Sequence, residues 1–398
     1  MTSIVKQRIE QIRRGEVPEG YKKTKVGIFP DEWNEEYLGK YLQEYKELSN
    51  DIENYPVYSS SRQGLMPQSQ YYDNREAVET NLGYKIVPNG YVTYRHMSDD
   101  DIFHFNVNKT GGDVLVSSEY PVFTSTKKGD LGYLIPMLNG TARFRYFCRT
   151  QKMGGTRTRL YYKNLCTYKT AFAPLVEQQK IAEILSAQDK LIALKEKLIE
   201  EKKRQKKTLI KKILNDKSIK SKFSAHWNTV ELKDIFDYIQ PTKYLVENTD
   251  YSDDYATPVL TAGKSFILGY TNETHGIFDQ VPVVIFDDFT TDSKYVDFPF
   301  KAKSSAMKIL MVKERFDIRF AFELLQNIDY IVGGHERHWI SVFSQMTVDV
   351  PSYEAQQEIG QIIQCINSEI DLLQKDLDQE KQKKKALMQL LLTGIVRV

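Results

Sequence analysis

From residue 181 to residue 213 one side of the chain returns at alternating steps of four and three: Ile181, Leu185, Gln188, Ile192, Lys195, Ile199, Lys202, Lys206, Leu209, Ile213. The same steps recur in Ile359, Ile363, Ile366, Ile370, Leu373, Leu377, Glu380, Lys384, Leu387, Leu391. This spacing keeps one face of a helix toward a partner. Each run starts just after a proline, Pro174 or Pro351, which marks the change from extended chain to helix. The pattern predicts two helices of about 38 residues, roughly 57 Å each at ~1.5 Å per residue. A long helix with a single apolar stripe needs a companion, and each has one in the other, although each could instead pack on its own neighbouring domain. The polar positions Gln188, Lys195, Lys202 and Lys206 predict looser pairing in the middle of the first seam.

The two runs belong to a longer repeat. EQQKIAEIL at 177–185 falls on AQQEIGQII at 355–363 without a gap. FPDEWNEEYLGKYL (29–42) aligns with FSAHWNTVELKDIF (223–236), YPVYSSS (55–61) resembles TPVLTAG (257–263), and GGTRTRLYY (154–162) precedes its proline much as GGHERHWIS (333–341) does. Between these landmarks lie YKIVPNGYVTYR, DVLVSSEYPVFTS and VPVVIFDDF, short β-branched and aromatic runs bounded by turn residues, and a helical stretch RFDIRFAFELLQNI at 315–328. The predicted fold class is α+β, with two α/β domains separated by two long helices forming an antiparallel coiled coil, a pseudo-twofold repeat. The segments are an N-terminal extension at 1–24, with a short amphipathic helix at about 3–14; a first domain at 25–173; a first spacer helix at 174–215; a second domain at 216–350; and a second spacer helix with its tail at 351–398. The copies share their frames and diverge in their middles, which suggests two related tasks with different targets.

At 398 residues the chain has room for two or three domains. Its composition, 41% hydrophobic and 27% charged, is that of a globular protein, and no apolar run approaches the roughly 20 residues of a membrane helix. With no apolar leader segment, a cytoplasmic location without membrane contact is expected. Cys148, Cys166 and Cys365 have neither the spacing nor the number for a disulfide framework or a zinc site, and buried free thiols are expected. A net charge of +2 does not announce a nucleic-acid binder, so local distribution has to carry that reading.

No phosphate-binding loop and no convincing nucleophile–base constellation is present. His335 and His338 lack acidic or sulfur company at metal-ligand spacing, so no metal site is expected. Asp287 and Asp288 are adjacent strand residues facing opposite ways, unsuited to form a catalytic carboxylate pair by themselves. What remains suits an anion. Arg157 and Arg159 stand beside a glycine pair, as do His335, Arg337 and His338 in the second copy; Tyr94, Arg95 and His96 form another group, and Arg62, Gln63 and Lys264 complete the set. Arginine reads guanine edges bidentately and pairs with phosphate, and glycine lets backbone N–H groups approach it. Singly, each reads first as a solvated surface side chain; together, on corresponding loops of both units, they shift the reading toward DNA. The lysine-rich stretch at 195–214 reads first as a solvated helix face.

The segments VPEGYKKTKVGIFPDEWNEEYLG (17–39), GGTRTRLYYKNL through LIKKIL (154–214) and VPSYEAQQEIGQIIQCINSEIDLLQ (350–374) resemble the specificity subunits of type I restriction-modification systems. With the duplicated layout, the resemblance covers nearly the whole chain. It implies a non-catalytic subunit in which two target-recognition domains each read one half of a split site in double-stranded DNA. The paired helices fix the spacing of the half-sites. It implies docking of two modification (methyltransferase) subunits, with restriction (motor-nuclease) subunits able to join for cleavage. No cofactor is expected in this chain; S-adenosylmethionine, ATP and Mg belong to the partner subunits. A stand-alone sequence-specific DNA-binding regulator is the alternative, and an enzyme in its own right a further one that the absent motifs disfavour.

Overall fold

The computed structural model describes residues 3–71, 83–152, 154, 156–261, 265–328, 330 and 338–398, with the backbone alone at 70 and 71. The chain divides into two compact units, one of residues 1–194 and 377–398, the other of residues 195–376. The long helices, Leu175–Asn215 and Tyr353–Leu391, each give one part of their length to each unit.

In the first unit a four-stranded antiparallel sheet runs in the order Asn106–Val107, Val92–Thr93, Val122–Ser125, Leu42–Tyr45. In the second unit the corresponding order is Ser293–Val296, Val283–Asp287, Met307–Val312, Phe236–Ile239, again antiparallel throughout. Successive strand residues face opposite sides, and here both sides are covered. Val284, Phe286 and Leu310 join a core with the helix Ile318–Gln326, while Val283, Ile285 and Ile309 join another with Leu260 and Ala302 of a three-stranded sheet. Coverage of both faces explains why the strand reads VVIF rather than alternating. YKIVPNGYVTYR and DVLVSSEYPVFTS each split into two strands, Tyr84–Val87 with Val92–Thr93 and Val114–Ser117 with Val122–Ser125, and the members of each couple lie in different sheets.

The sequence repeat lies on equivalent elements. Asn34–Tyr37 pairs antiparallel with Lys169–Phe172 just before the first long helix, and Asn228–Glu231 pairs with Thr347–Val350 just before the second. Val57 bridges Leu115 in parallel, as Val259 does Lys301. Leu38 and Leu232 are fully buried after their strands.

The repeated glutamines close each unit in the same way. Gln178 accepts a hydrogen bond from the Asp130 backbone N–H at 3.0 Å and donates to the Ala173 carbonyl at 2.8 Å. Gln356 accepts from the Asp317 N–H at 3.0 Å and donates to the Pro351 carbonyl at 3.0 Å. Asp130 and Asp317 are the N-caps of the helices Leu131–Gly140 and Ile318–Gln326, so each buried amide fastens a long helix to the start of its unit's own helix. The approach is close. A Cβ on Gly132 would stand 2.8 Å from the Ala182 Cβ, and one on Gly360 would stand 2.6 Å from Asp317 Oδ1.

Both readings of the helical seam are realised at different heights. In the first unit Ile181, Leu185 and Leu391 enter the domain core, with Leu387 packed against it; in the second, Ile213, Ile359 and Ile363 do the same, with Leu209 beside them. Ile199 and Leu377 are buried, and Ile192, Ile366, Ile370 and Leu373 are half-buried. The polar seam positions, where looser pairing was expected, carry antiparallel polar contacts. Within the first unit Gln188 donates to Glu380 Oε2 at 2.6 Å and Lys384 pairs with Asp189. Within the second unit Lys195 pairs with Asp376, Lys202 meets Glu369 at 2.7 Å, and Lys206 pairs with the buried Glu323.

The N-terminal helix Ser3–Arg13 and the last residues meet in the first unit. Arg8 Nη1 donates to the Ile395 carbonyl at 2.6 Å and Tyr21 Oη to the Gly394 carbonyl at 2.7 Å. Arg397 donates to both oxygens of Glu177, at 2.6 and 3.0 Å, and Trp33 Nε1 donates to the same carboxylate at 3.0 Å. Of the cysteines, Cys148 is buried and Cys166 half-buried, but Cys365 is exposed, because it falls between Ile363 and Ile366 on the outward side of its helix.

Candidate nucleic-acid interface

In the first unit two segments distant in sequence converge on one cleft of about 390 Å³, lined among others by Ser60, Arg62, Gln63, Arg95, Asp99 and His104. The hairpin Tyr58–Ser61 with Gly64–Pro67 carries Arg62 and Gln63 at its turn. Asn106 Nδ2 holds that hairpin from beneath by donating to Ser60 Oγ at 2.8 Å and the Ser61 carbonyl at 2.9 Å. The two-residue strand Met97–Ser98 leads into Asp99, Asp100 and Asp101, and it pairs with Thr158–Arg159.

The three aspartates grip two segments. Asp99 Oδ1 accepts from Arg157 Nε at 2.7 Å, Asp100 Oδ2 accepts from Arg62 Nη2 at 2.7 Å, and Asp101 Oδ1 accepts from Thr158 Oγ1. Asp101 sits in the left-handed region at φ 61°, a conformation Asp tolerates better than most residues. The Ser98 hydroxyl donates to Asp100 Oδ1 at 2.8 Å and accepts the Ile102 N–H at 3.1 Å. The hydrogen bond from Ser98, with further help from the Ile102 N–H and the Arg62 charge, holds the Asp100 carboxyl below the ordinary carboxylate value. Burial, reinforced by Arg62, lowers His104, so its ring faces the cleft uncharged at neutral pH.

The arginines remain available. Arg62 and Arg157 keep 66% and 52% of their side-chain surface, so each ion pair is of the exposed kind, worth less than about 1 kcal/mol. A bidentate arginine contact to guanine discriminates by about 1–3 kcal/mol, enough to draw an arginine from such a pair. Arg159 is exposed and Arg95 lines the cleft half-buried.

Two expected contacts of this unit are placed elsewhere. Tyr94 is fully buried, with its ring against Phe105 and its hydroxyl bonded to the Leu160 carbonyl at 3.0 Å, so it is a core residue and presents nothing to a groove. His96 is also buried; its ring stacks on Tyr161, and its Nε2 lies 3.8 Å from Glu119. Alternation along the strand Val92–Thr93 and its continuation explains why only Arg95 of that trio reaches the cleft.

In the second unit Lys264, His335 and Arg337 lie outside the described residues. His338 is buried rather than presented to a ligand: its backbone N–H donates to the Asp288 carbonyl at 3.1 Å and its Nδ1 is 3.4 Å from Tyr330 Oη. Asp288 also accepts the Trp339 N–H at 2.8 Å and faces the buried Lys308 at 3.3 Å, whereas Asp287 caps the following turn through the Phe289 and Thr290 N–H groups. The adjacent aspartates thus do separate structural work. Among the described residues no group of three or more His, Cys, Asp or Glu is arranged to hold a metal ion, and no helix is long and apolar enough to cross a membrane.

A duplicated α+β unit, with each copy joined to its share of paired helices, defines a two-module protein. A family model for the type I restriction modification DNA specificity domain matches residues 37–204 and again 225–381, and the chain belongs to that family. The EcoR124I/EcoR124II specificity subunit of Escherichia coli is 44% identical over 165 residues, 38% of this chain and 41% of that protein, so this match spans about two fifths of the relative's length. A Methanocaldococcus jannaschii protein named provisionally as the MjaX specificity subunit is 25% identical over 435 residues, covering 96% of this chain and 97% of its own. The fold matches the S subunit of a type I restriction-modification system from M. genitalium with a TM-score of 0.56 at 13% identity, over 90% of this chain and 96% of that one. It also matches a chain from a structure of the type I R-M system at 0.53 and 10% identity, over 92% and 99%.

Proposed function

We propose that this chain is the DNA sequence-recognition subunit of a type I restriction-modification assembly, its first unit reading one half of a split site and its second unit the other. The observation that carries the reading is the double match of the DNA specificity domain family, laid on two copies of one fold. The first unit's cleft, with the exposed Arg62 in its lining and the exposed Arg157 held by Asp99 of that lining, is the surface best suited to base edges and phosphates. The long helices, of 41 and 39 residues, serve as the spacer between half-sites, which, when read from one face of the duplex, lie about one helical turn or ~10 base pairs apart.

In this reading the chain is not itself catalytic. It acts in the cytoplasm, docking two modification subunits that supply S-adenosylmethionine-dependent methylation of adenine, and the restriction subunits that bring ATP and Mg join the same assembly. The test is a map of methyl-adenine in the source cell with the gene intact and deleted, together with purification of the tagged protein and whatever it carries. Loss of a two-part motif on deletion, and a methyltransferase in the purified complex, are expected. An unchanged map and a protein that purifies alone with sequence-specific affinity would move the assignment to a stand-alone DNA-binding regulator.

A further inference from the structure

We propose that Asp99, Asp100 and Asp101 set the specificity of the first unit by positioning its arginines, an inference that rests on the DNA-recognition reading above. The three carboxylates sit on consecutive residues and reach two segments: Asp100 holds Arg62, while Asp99 and Asp101 hold the adjacent Arg157 and Thr158. They therefore tie the hairpin at 58–67 and the strand at 158–159 to one turn, whose own shape is fixed by Ser98 and by the left-handed backbone of Asp101. Stability does not account for such an arrangement, because the two arginine pairs are largely exposed and exposed pairs contribute little to it.

Recognition does account for it. An unpaired arginine at a cleft edge is a mobile cation that binds phosphate wherever it meets it. With a carboxylate on Nε of Arg157 and on Nη2 of Arg62, each guanidinium is biased toward one orientation with fewer donors free, and its charge is balanced until a matching base edge is presented. The aspartates also repel phosphate that enters in the wrong register, so mismatched DNA is disfavoured as well as the match favoured. Asp99, Asp100 and Asp101 are positioning residues in this scheme, and Arg62 and Arg157 are the groups that touch DNA.

The experiment uses full-length protein purified from its own cells with whatever it carries, as wild type, D99N/D100N and R62A/R157A. Two quantities are read: the sequences enriched from a pool of randomised 30-base-pair duplexes, and the salt dependence of binding to one fixed, unrelated duplex. For D99N/D100N the enrichment should flatten by about tenfold or more at positions of one half-site only. The logarithmic salt slope on the unrelated duplex should steepen by about 1 to 2, since up to two arginines are released to phosphate. A role in folding alone would instead weaken all binding and leave the slope unchanged.

Retention of first-half discrimination by D99N/D100N, or a slope that does not rise, overturns the proposal. Unaltered recognition by R62A/R157A, or no enriched sequence for the wild type, overturns the underlying reading of the cleft instead. Should the double variant not fold, D99N alone frees only Arg157 and carries the same two readouts, with a slope change of about 1.

Discussion

Gln356 repeats the bonds of Gln178, one at the start of each long helix: each amide accepts the backbone N–H of an N-capping aspartate and donates to a carbonyl five residues upstream. The two side chains are 1% and 2% exposed, so removing either strands polar backbone groups away from water. Gln178→Ala is expected to destabilise the first unit by about 1–3 kcal/mol and Gln356→Ala the second by a similar amount. Hydrogen exchange should locate the loosening. Faster exchange at Asp130–Tyr133 is expected in the first variant and at Asp317–Phe320 in the second, and a change shared by both units would contradict the assignment of one glutamine to each.

The repeat, the long helices and the strand-rich units were legible in the sequence because periodicity and punctuation are local signals: the step of four and three, the prolines at 174 and 351, and the tryptophans with their following strands. The cleft was only half legible. Arg62, Arg95, Arg157 and Arg159 could be picked out by residue type, but burial depends on which side of its element a residue occupies, and Tyr94, His96 and His338 turn inward. The aspartates that hold Arg62 and Arg157 were missed because they matter only through contacts with residues 38 and 58 positions away. A run of three acidic residues next to a strand was the available signal. The paired glutamines were visible as repeated letters, but a repeated letter does not say what it bonds to.

The two copies differ where Glu177 aligns with Ala355, and that difference falls on the clasp of Arg397. Glu177 is 5% exposed and carries the Arg397 guanidinium and the Trp33 indole together. Arg397→Ala should cost roughly 2 kcal/mol, less than a fully buried pair because the arginine is partly solvated. Adding Glu177→Gln to that variant should recover part of the loss, since a neutral amide needs no counter-charge while its oxygen can still accept from Trp33. Denaturant unfolding of the two variants checks this. No recovery would mean that the unpaired Glu177 charge is not the source of the loss, and that Arg397 stabilises through its other contacts, the Glu32 pair among them.

The polar positions of the helical seam make a separate, salt-sensitive contribution. Lys202 and Glu369 meet at 2.7 Å, with 30% and 49% of their side chains exposed. Lys202→Glu should destabilise by about 1 kcal/mol, and Lys202→Glu with Glu369→Lys should return most of it. The difference between single and double variants should shrink in about 1 M salt, where screening is effective within ~3 Å. Equal losses in both variants at every salt concentration would show that Lys202 contributes through its methylene stem rather than its charge.

Burial holds His96 below the ordinary histidine value, against the opposing pull of the Glu119 carboxylate and with Arg159, Lys85 and Arg95 adding to the depression. The unfolded chain should take up its proton near pH ~6.5, whereas the folded chain resists it until a lower pH. Between those two values the unfolded state binds more protons, so stability rises with pH across that window. The contribution is present in full above about pH 6.5 and is lost as pH falls through the window toward the folded value. Replacing His96 with Gln should flatten this part of the stability profile without removing the acid dependence that carboxylates produce at lower pH. An NMR titration of the ring should give His96 a midpoint below that of a free histidine, ~6.5. A midpoint at or above the free value, or an unchanged profile in the Gln variant, would show that Glu119 outweighs burial.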